Sequence, residues 1–66
     1  MNNTIKDFSG YMIYSGSLTC KNFNGKIVEK TIRKAFPYDP DSTLWIVKLV
    51  GSKMHMAFYE DEMIAP

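Results

Sequence analysis

The sequence predicts a mainly β domain, and three of its features carry that prediction. Leu44 to Tyr59 alternates about Gly51-Ser52 so that Trp45, Val47, Leu49, Met54, Met56 and Phe58 fall on one face of a β-hairpin. Tyr11-Met12-Ile13-Tyr14 consists of strand formers bounded by Gly10 and Gly16. Lys26 to Phe36 concentrates the β-branched residues Ile27, Val28, Thr31 and Ile32, which lose side-chain freedom in a helix and fit a pleated strand. With a short closing strand at Met63-Ile64, these segments make a five-stranded domain of 66 residues.

Taken in order, residues 1–10 read as an N-terminal arm, polar apart from Ile5 and Phe8, which pin it to a single domain over residues 11–66. Ser17 to Cys20 continues the first strand after a bend at Ser15-Gly16, and Asn22-Phe23-Asn24-Gly25 supplies a turn ending in an Asn-Gly hairpin signal. Residues 26–36 read as a long, bent strand. The alternative is a helix over residues 25–36, giving an α+β, ββαββ order: Ile27, Val28, Thr31, Ile32 and Ala35 also recur at helical spacing, Asn24 offers a cap and Pro37 a stop. Two prolines and two aspartates make Pro37 to Thr43 a loop. In the hairpin, Gly51-Ser52 reads as a two-residue type II′ turn, which sets Val50 against Lys53, Leu49 against Met54 and Trp45 against Phe58. Glu60-Asp61-Glu62 then forms one turn of 3₁₀-helix.

The order of features resembles an SH3-like small barrel of the Tudor or KOW type. Gly25-Lys26-Ile27-Val28-Glu29 matches the strand after the first turn, Leu44-Trp45-Ile46-Val47-Lys48-Leu49 the third strand, and Phe58-Tyr59-Glu60-Asp61-Glu62-Met63-Ile64 the last strand, acidic turn and closure. The resemblance implies a five-stranded barrel and, since its motifs are structural, no particular activity. It implies binding through aromatic residues and the loops at one end, which would bring Tyr38, Asp39 and Asp41 near Tyr59 and Glu60. An aromatic cage for a methylated cation would have to draw on Tyr38, Tyr59, Tyr11 and Tyr14, because Trp45 and Phe58 belong to the core face.

Composition narrows the classes. A 45% hydrophobic and 14% aromatic content excludes a disordered chain. The N-terminal residues lack the apolar stretch of a signal peptide, and no apolar run reaches the roughly 20 residues of a membrane span, so the expected location is the cytoplasm. The Asn2-Asn3-Thr4 sequon is then incidental. Net charge is +1, which argues against strong non-specific binding to nucleic acid, but it is unevenly spread. Residues 1–34 carry six cations and two acids, net +4; residues 35–66 carry two cations and five acids, net −3.

No catalytic constellation is expected. Cys20 is the only thiol and His55 the only imidazole, so neither a disulfide nor a structural zinc cluster can form within the chain, and no cofactor is implied. Calcium needs six to eight oxygens on a shaped loop, and the acids here lack one. The function expected is that of a non-catalytic protein-interaction module, of which a small phage-type inhibitor of a host protein, acting in the host cytoplasm, is one form. Its binding residues are expected to be Leu44, Ile46 and Tyr59 on the hairpin's outer side, with Tyr38, Asp39, Asp41, Glu60, Asp61 and Glu62 facing a partner that is basic at the contact. That outer side carries too many apolar residues to face water alone, which points to a partner, a weak homodimer centred on Ile46 and Tyr59, or the N-terminal arm as its cover. The competing expectation is a nucleic-acid-binding barrel using Lys26, Lys30, Arg33 and Lys34.

Overall fold

A computed structural model describes residues 6–18 and 20–66. The chain forms β1 (Met12–Ile13), a 3₁₀ turn at Lys21–Phe23, β2 (Val28–Lys34), β3 (Leu44–Leu49), β4 (His55–Tyr59), a second 3₁₀ turn at Glu60–Glu62, and β5 (Met63–Ile64). It is mainly β: β2, β3 and β4 make one antiparallel sheet in that order, and β1 and β5 make another. β1 also meets the lead-in to β2. The Ile13 amide donates to the Lys26 carbonyl (2.9 Å), the Val28 amide to the Tyr11 carbonyl (2.8 Å), and Met12 bridges Ile27. Among the described residues no helix is long and apolar enough to cross a membrane.

Within residues 26–36 the strand reading holds over Val28–Lys34 and the helical alternative does not; β2 is shorter than expected, with Ala35 and Phe36 in a bend, and it is itself bent as expected. Two register irregularities bend it, one between Val28 and Lys30 and one between Thr31 and Arg33. Each inserts an extra residue, so the strict even–odd alternation of the sequence fails here. Lys30 lies opposite Lys48 and Arg33 opposite Ile46, whereas Lys34 lies opposite Trp45. Lys30 and Arg33 thus share the outer face, and Lys34 belongs to the side of the core tryptophan.

The hairpin register is as predicted from Leu44↔Tyr59 to Lys48↔His55, but its tip is wider. The Ser52 amide donates to the Leu49 carbonyl (3.1 Å), so the turn runs Leu49-Val50-Gly51-Ser52 with Gly51 in third place at φ +83°. Glycine is still required, now by the third position of a type II-like turn rather than the first central position of a II′ turn. Val50 consequently pairs backward, its amide donating to the Ile27 carbonyl (2.8 Å), and does not face Lys53. Met54 falls outside β4 and is 69% exposed, so it is not part of the core.

The core is Phe8, Ile13, Val28, Trp45, Val47, Leu49, Phe58 and Met63, with Tyr11, Cys20, Phe23 and Met56 packed against it. Phe8 meets Trp45 and Tyr11 edge-on, at ring-centre distances of 5.5 and 5.2 Å. The arm therefore sends its phenylalanine into the core and not onto the hairpin's outer face; Ile5 and the sequon lie outside the described residues. Ser17, Leu18 and Cys20 do not extend β1. They form a turn in which the Ser17 carbonyl accepts from the Cys20 and Lys21 amides (3.2 and 2.9 Å), leading into the first 3₁₀ turn. The Asn-Gly signal does make a turn: the Lys26 amide donates to the Phe23 carbonyl (3.0 Å), with Gly25 at φ +88°.

Candidate functional site

The second 3₁₀ turn organises one end of the molecule. Its three acids have separate surroundings. Glu60 accepts the Trp45 indole N–H at 2.8 Å and the Lys6 ammonium at 3.1 Å. The indole hydrogen bond first, then Lys6 and the charge of Lys34, hold its carboxyl below the ordinary range against the opposing effect of burial. Glu62 reaches back to the Tyr59 amide (2.9 Å), capping the turn, and accepts the hydroxyl of buried Ser15. Asn24 fixes Ser15 from the other side, its side chain taking the Ser15 amide (2.7 Å) and donating to the Ser15 carbonyl (3.2 Å). Asp61 is exposed.

This clasp places Tyr14 beside Tyr59. The Tyr14 amide donates to the Glu62 carbonyl (2.8 Å), and between the two tyrosines lies an open cleft of about 500 Å³ lined by Tyr14, Gly16, Tyr59, Asp61 and Glu62. Tyr14 is 63% exposed and Tyr59 51%, so both offer ring surface to an incoming group. A cleft lined by two exposed tyrosines and two acids has the chemistry to receive a cation: ring faces attract positive charge, and a carboxylate supplies the countercharge.

Tyr59 belongs also to the outer face of the β2–β3–β4 sheet. That face runs in rows: Lys30, Lys48 and His55; then Arg33, Ile46 and Ala57; then Leu44 and Tyr59. Leu44 and Ile46 are half-buried and Ala57 is exposed. Glu29 neutralises Lys48 at 2.7 Å, and that contact lowers the Glu29 carboxyl's pKa. The Arg33 guanidinium is turned onto the Lys34 carbonyl (2.9 Å).

The remaining predicted residues sit as follows. Tyr38 is exposed at the tip of the β2–β3 loop; Asp39 accepts the Asp41 amide at 3.0 Å, and its carbonyl accepts the Lys34 ammonium at 3.4 Å. The Glu60 amide donates to the Thr43 carbonyl (2.9 Å), which ties the base of this loop to the acidic turn. Lys26 lies at the opposite end of the hairpin, beside the Val50–Ser52 turn. The four cations Lys26, Lys30, Arg33 and Lys34 therefore do not form one patch. Cys20 packs against the core, whereas His55 stands on the outer sheet face, so the two do not share a site. Among the described residues no group of three or more His, Cys, Asp or Glu is placed to hold a metal ion.

The sequence names Tyr14 only among the four tyrosines open to an aromatic cage, not with the residues of the outer face and acidic turn that it joins here, and gives Gly16 no binding role at all. Alternation alone cannot assign Tyr14, because β1 is short; the signal available was an exposed-type aromatic in the chain leading to Gly16. Compared with protein-family models, with curated proteins and with solved structures, the chain matches none.

Proposed function

We propose that the chain is a non-catalytic protein-interaction module that receives a cationic side chain of a larger partner in the cleft between Tyr14 and Tyr59. The single observation that carries this reading is the cleft itself, lined by two exposed tyrosines together with Asp61 and Glu62. Glu62 is committed to Ser15 and the Tyr59 amide, which leaves Asp61 as the carboxylate facing the partner's charge. Leu44, Ile46 and Ala57, continuous with Tyr59 on the outer sheet face, form the apolar apron on which the rest of the partner rests. β1 bonds to β5 on one side and to residues 25–28 on the other, an arrangement that supports the SH3-like barrel reading of the architecture. A phage-type inhibitor of a host protein is one concrete form of such a module.

The test is a titration of the protein with acetylated, amidated arginine and lysine peptides, followed by the ring resonances of Tyr14 and Tyr59. Saturable shifts that survive Tyr59→Phe and disappear in Tyr59→Ala and Asp61→Lys are expected. Unmoved rings at millimolar peptide refute the reading.

The two bulges of β2 favour a second reading, since they bring Lys30 and Arg33 onto the face that carries Lys48 and His55. Nucleic acid on that face would bind with a steep salt dependence. Glu29 neutralises Lys48 and the Arg33 guanidinium is engaged with the Lys34 carbonyl, which leaves Lys30 and Arg33 as the positive charges of this face, too few for strong phosphate binding, so the cleft is the stronger site.

A further inference from the structure

The hairpin end remote from the tyrosine cleft has a concavity of its own. A half-enclosed cleft of about 220 Å³ lies between the first 3₁₀ turn and the tip of the β3–β4 hairpin, lined by Phe23, Lys26, Leu49, Val50, Gly51 and Ser52. Leu49 forms its buried floor, and Phe23 a half-buried wall. Of its lining residues Val50 is 57% exposed; farther along the hairpin tip, Met54, whose amide donates to the Ser52 hydroxyl (3.2 Å), is 69% exposed. A large apolar side chain at a loop tip does nothing for folding when left in water, and here Val50 borders a hollow instead of a flat surface.

Charge says what fills it. Lys26 lines the cleft and Lys53 sits in the same tip; among the described residues neither ammonium has an ion-pair partner, and no acid lines the cleft. The acids of the chain's second half lie elsewhere, in the loop and turn at the far end of the hairpin. The volume is below that of a typical ligand pocket and suits one side chain, not a cofactor.

We infer that this cleft is a second docking point, which takes a single large apolar side chain flanked by carboxylates from a partner protein segment. Phe23, Leu49 and Val50 would contact the apolar group, while Lys26 and Lys53 pair with the acids beside it. A concave hollow with paired cations selects such a segment over a flat anionic lipid surface, which would meet the lysines but leave the hollow unfilled.

The probe is the acetylated, amidated pentapeptide Asp-Glu-Phe-Asp-Glu, titrated into the full chain and followed by backbone amide shifts. Saturable shifts confined to Phe23, Lys26, Val50, Gly51 and Ser52 are expected, weakened roughly tenfold or more when the peptide's Phe is replaced by Ser. Val50→Asp, at an exposed site that leaves the core intact, should weaken binding by a similar factor, and Lys26→Glu with Lys53→Glu should abolish it. Equal binding of the Ser peptide would reduce the site to charge alone and overturn the inference. So would binding to vesicles of phosphatidylserine and phosphatidylcholine without peptide binding, self-association lost in Val50→Asp without peptide binding, or no shift at millimolar peptide. Tyr14 and Tyr59 are outside the expected set, so the result is independent of the tyrosine cleft.

Discussion

Replacing Trp45 by phenylalanine and Glu60 by glutamine, singly and together, isolates the charge-assisted part of the bond that joins the core to the acidic turn, since glutamine can still accept the indole N–H. The Trp45 ring is 4% exposed and its N–H donates at 2.8 Å to a carboxylate whose side chain is 28% exposed. A hydrogen bond to a charged group contributes about 1.5–3 kcal/mol, and the partial exposure of Glu60 places this one at the lower end. Lys6, 61% exposed, adds less than about 1 kcal/mol through its ion pair with the same carboxylate. Against a total stability of roughly 3–10 kcal/mol for a domain of this size, the indole bond is a substantial fraction. Urea unfolding followed by far-UV circular dichroism, which does not depend on the sole tryptophan, should give a coupling energy of about 1–1.5 kcal/mol at pH 7. The pH dependence has a definite sign. The folded pKa of Glu60 is depressed below its ordinary 4.5, so its contribution is full above that value and is lost as pH falls through the lower folded pKa. Wild type should therefore lose more stability than Glu60→Gln on acidification below that range. Additive single effects, within about 0.3 kcal/mol, together with parallel acid profiles would refute the assignment of the bond.

Trp45→Ala and Phe58→Ala, at sites 4% and 0% exposed, should each cost roughly 3–5 kcal/mol and leave the chain largely unfolded by circular dichroism. Gly51→Ala meets no atom within 4 Å but must hold φ +83°, so chemical denaturation should show a loss of about 1–2 kcal/mol from backbone strain alone. Met54→Lys should change stability by less than about 0.5 kcal/mol; a loss of 2 kcal/mol or more would restore Met54 to the core and the hairpin to a two-residue turn. Ile46→Glu, on the half-buried outer face, should abolish capture of a partner, or self-association in sedimentation, while leaving the fold intact.

What the sequence made legible was what side-chain alternation encodes. The β3–β4 register from Leu44 to Tyr59 follows from alternation over ten paired residues, because a slip of one place would send Trp45, Val47 and Phe58 into water. The tip was misplaced because Gly51 satisfies either turn. Positive φ is needed in both, and only the Ser52–Leu49 hydrogen bond distinguishes them. The bulges at β2 were invisible for a related reason: an inserted residue changes which face each later side chain takes, and no residue type marks it. Lys30 and Lys34 consequently separate, although sequence spacing puts them on one side. Phe8 was legible as an apolar anchor but not as a core residue, since its partners Tyr11 and Trp45 are set by tertiary packing.

The acidic run Glu60-Asp61-Glu62 shows how neighbouring residues of one charge acquire different work. A 3₁₀ turn has three residues per turn, so successive side chains leave it about 120° apart. Glu60 consequently turns to Trp45 and Lys6, and Glu62 to Ser15 and the Tyr59 amide, while exposed Asp61 lines the cleft. Electrostatic repulsion among three adjacent acids is relieved by the partners of the outer two, and those partners also fix the cleft. Ser15 anchors the segment that carries Tyr14, and the capped amide is that of Tyr59 itself. The same hydrogen bonds that make Glu60 and Glu62 structural thus leave Asp61 as the exposed acid of the turn, in a cleft that Tyr14 and Tyr59 also line.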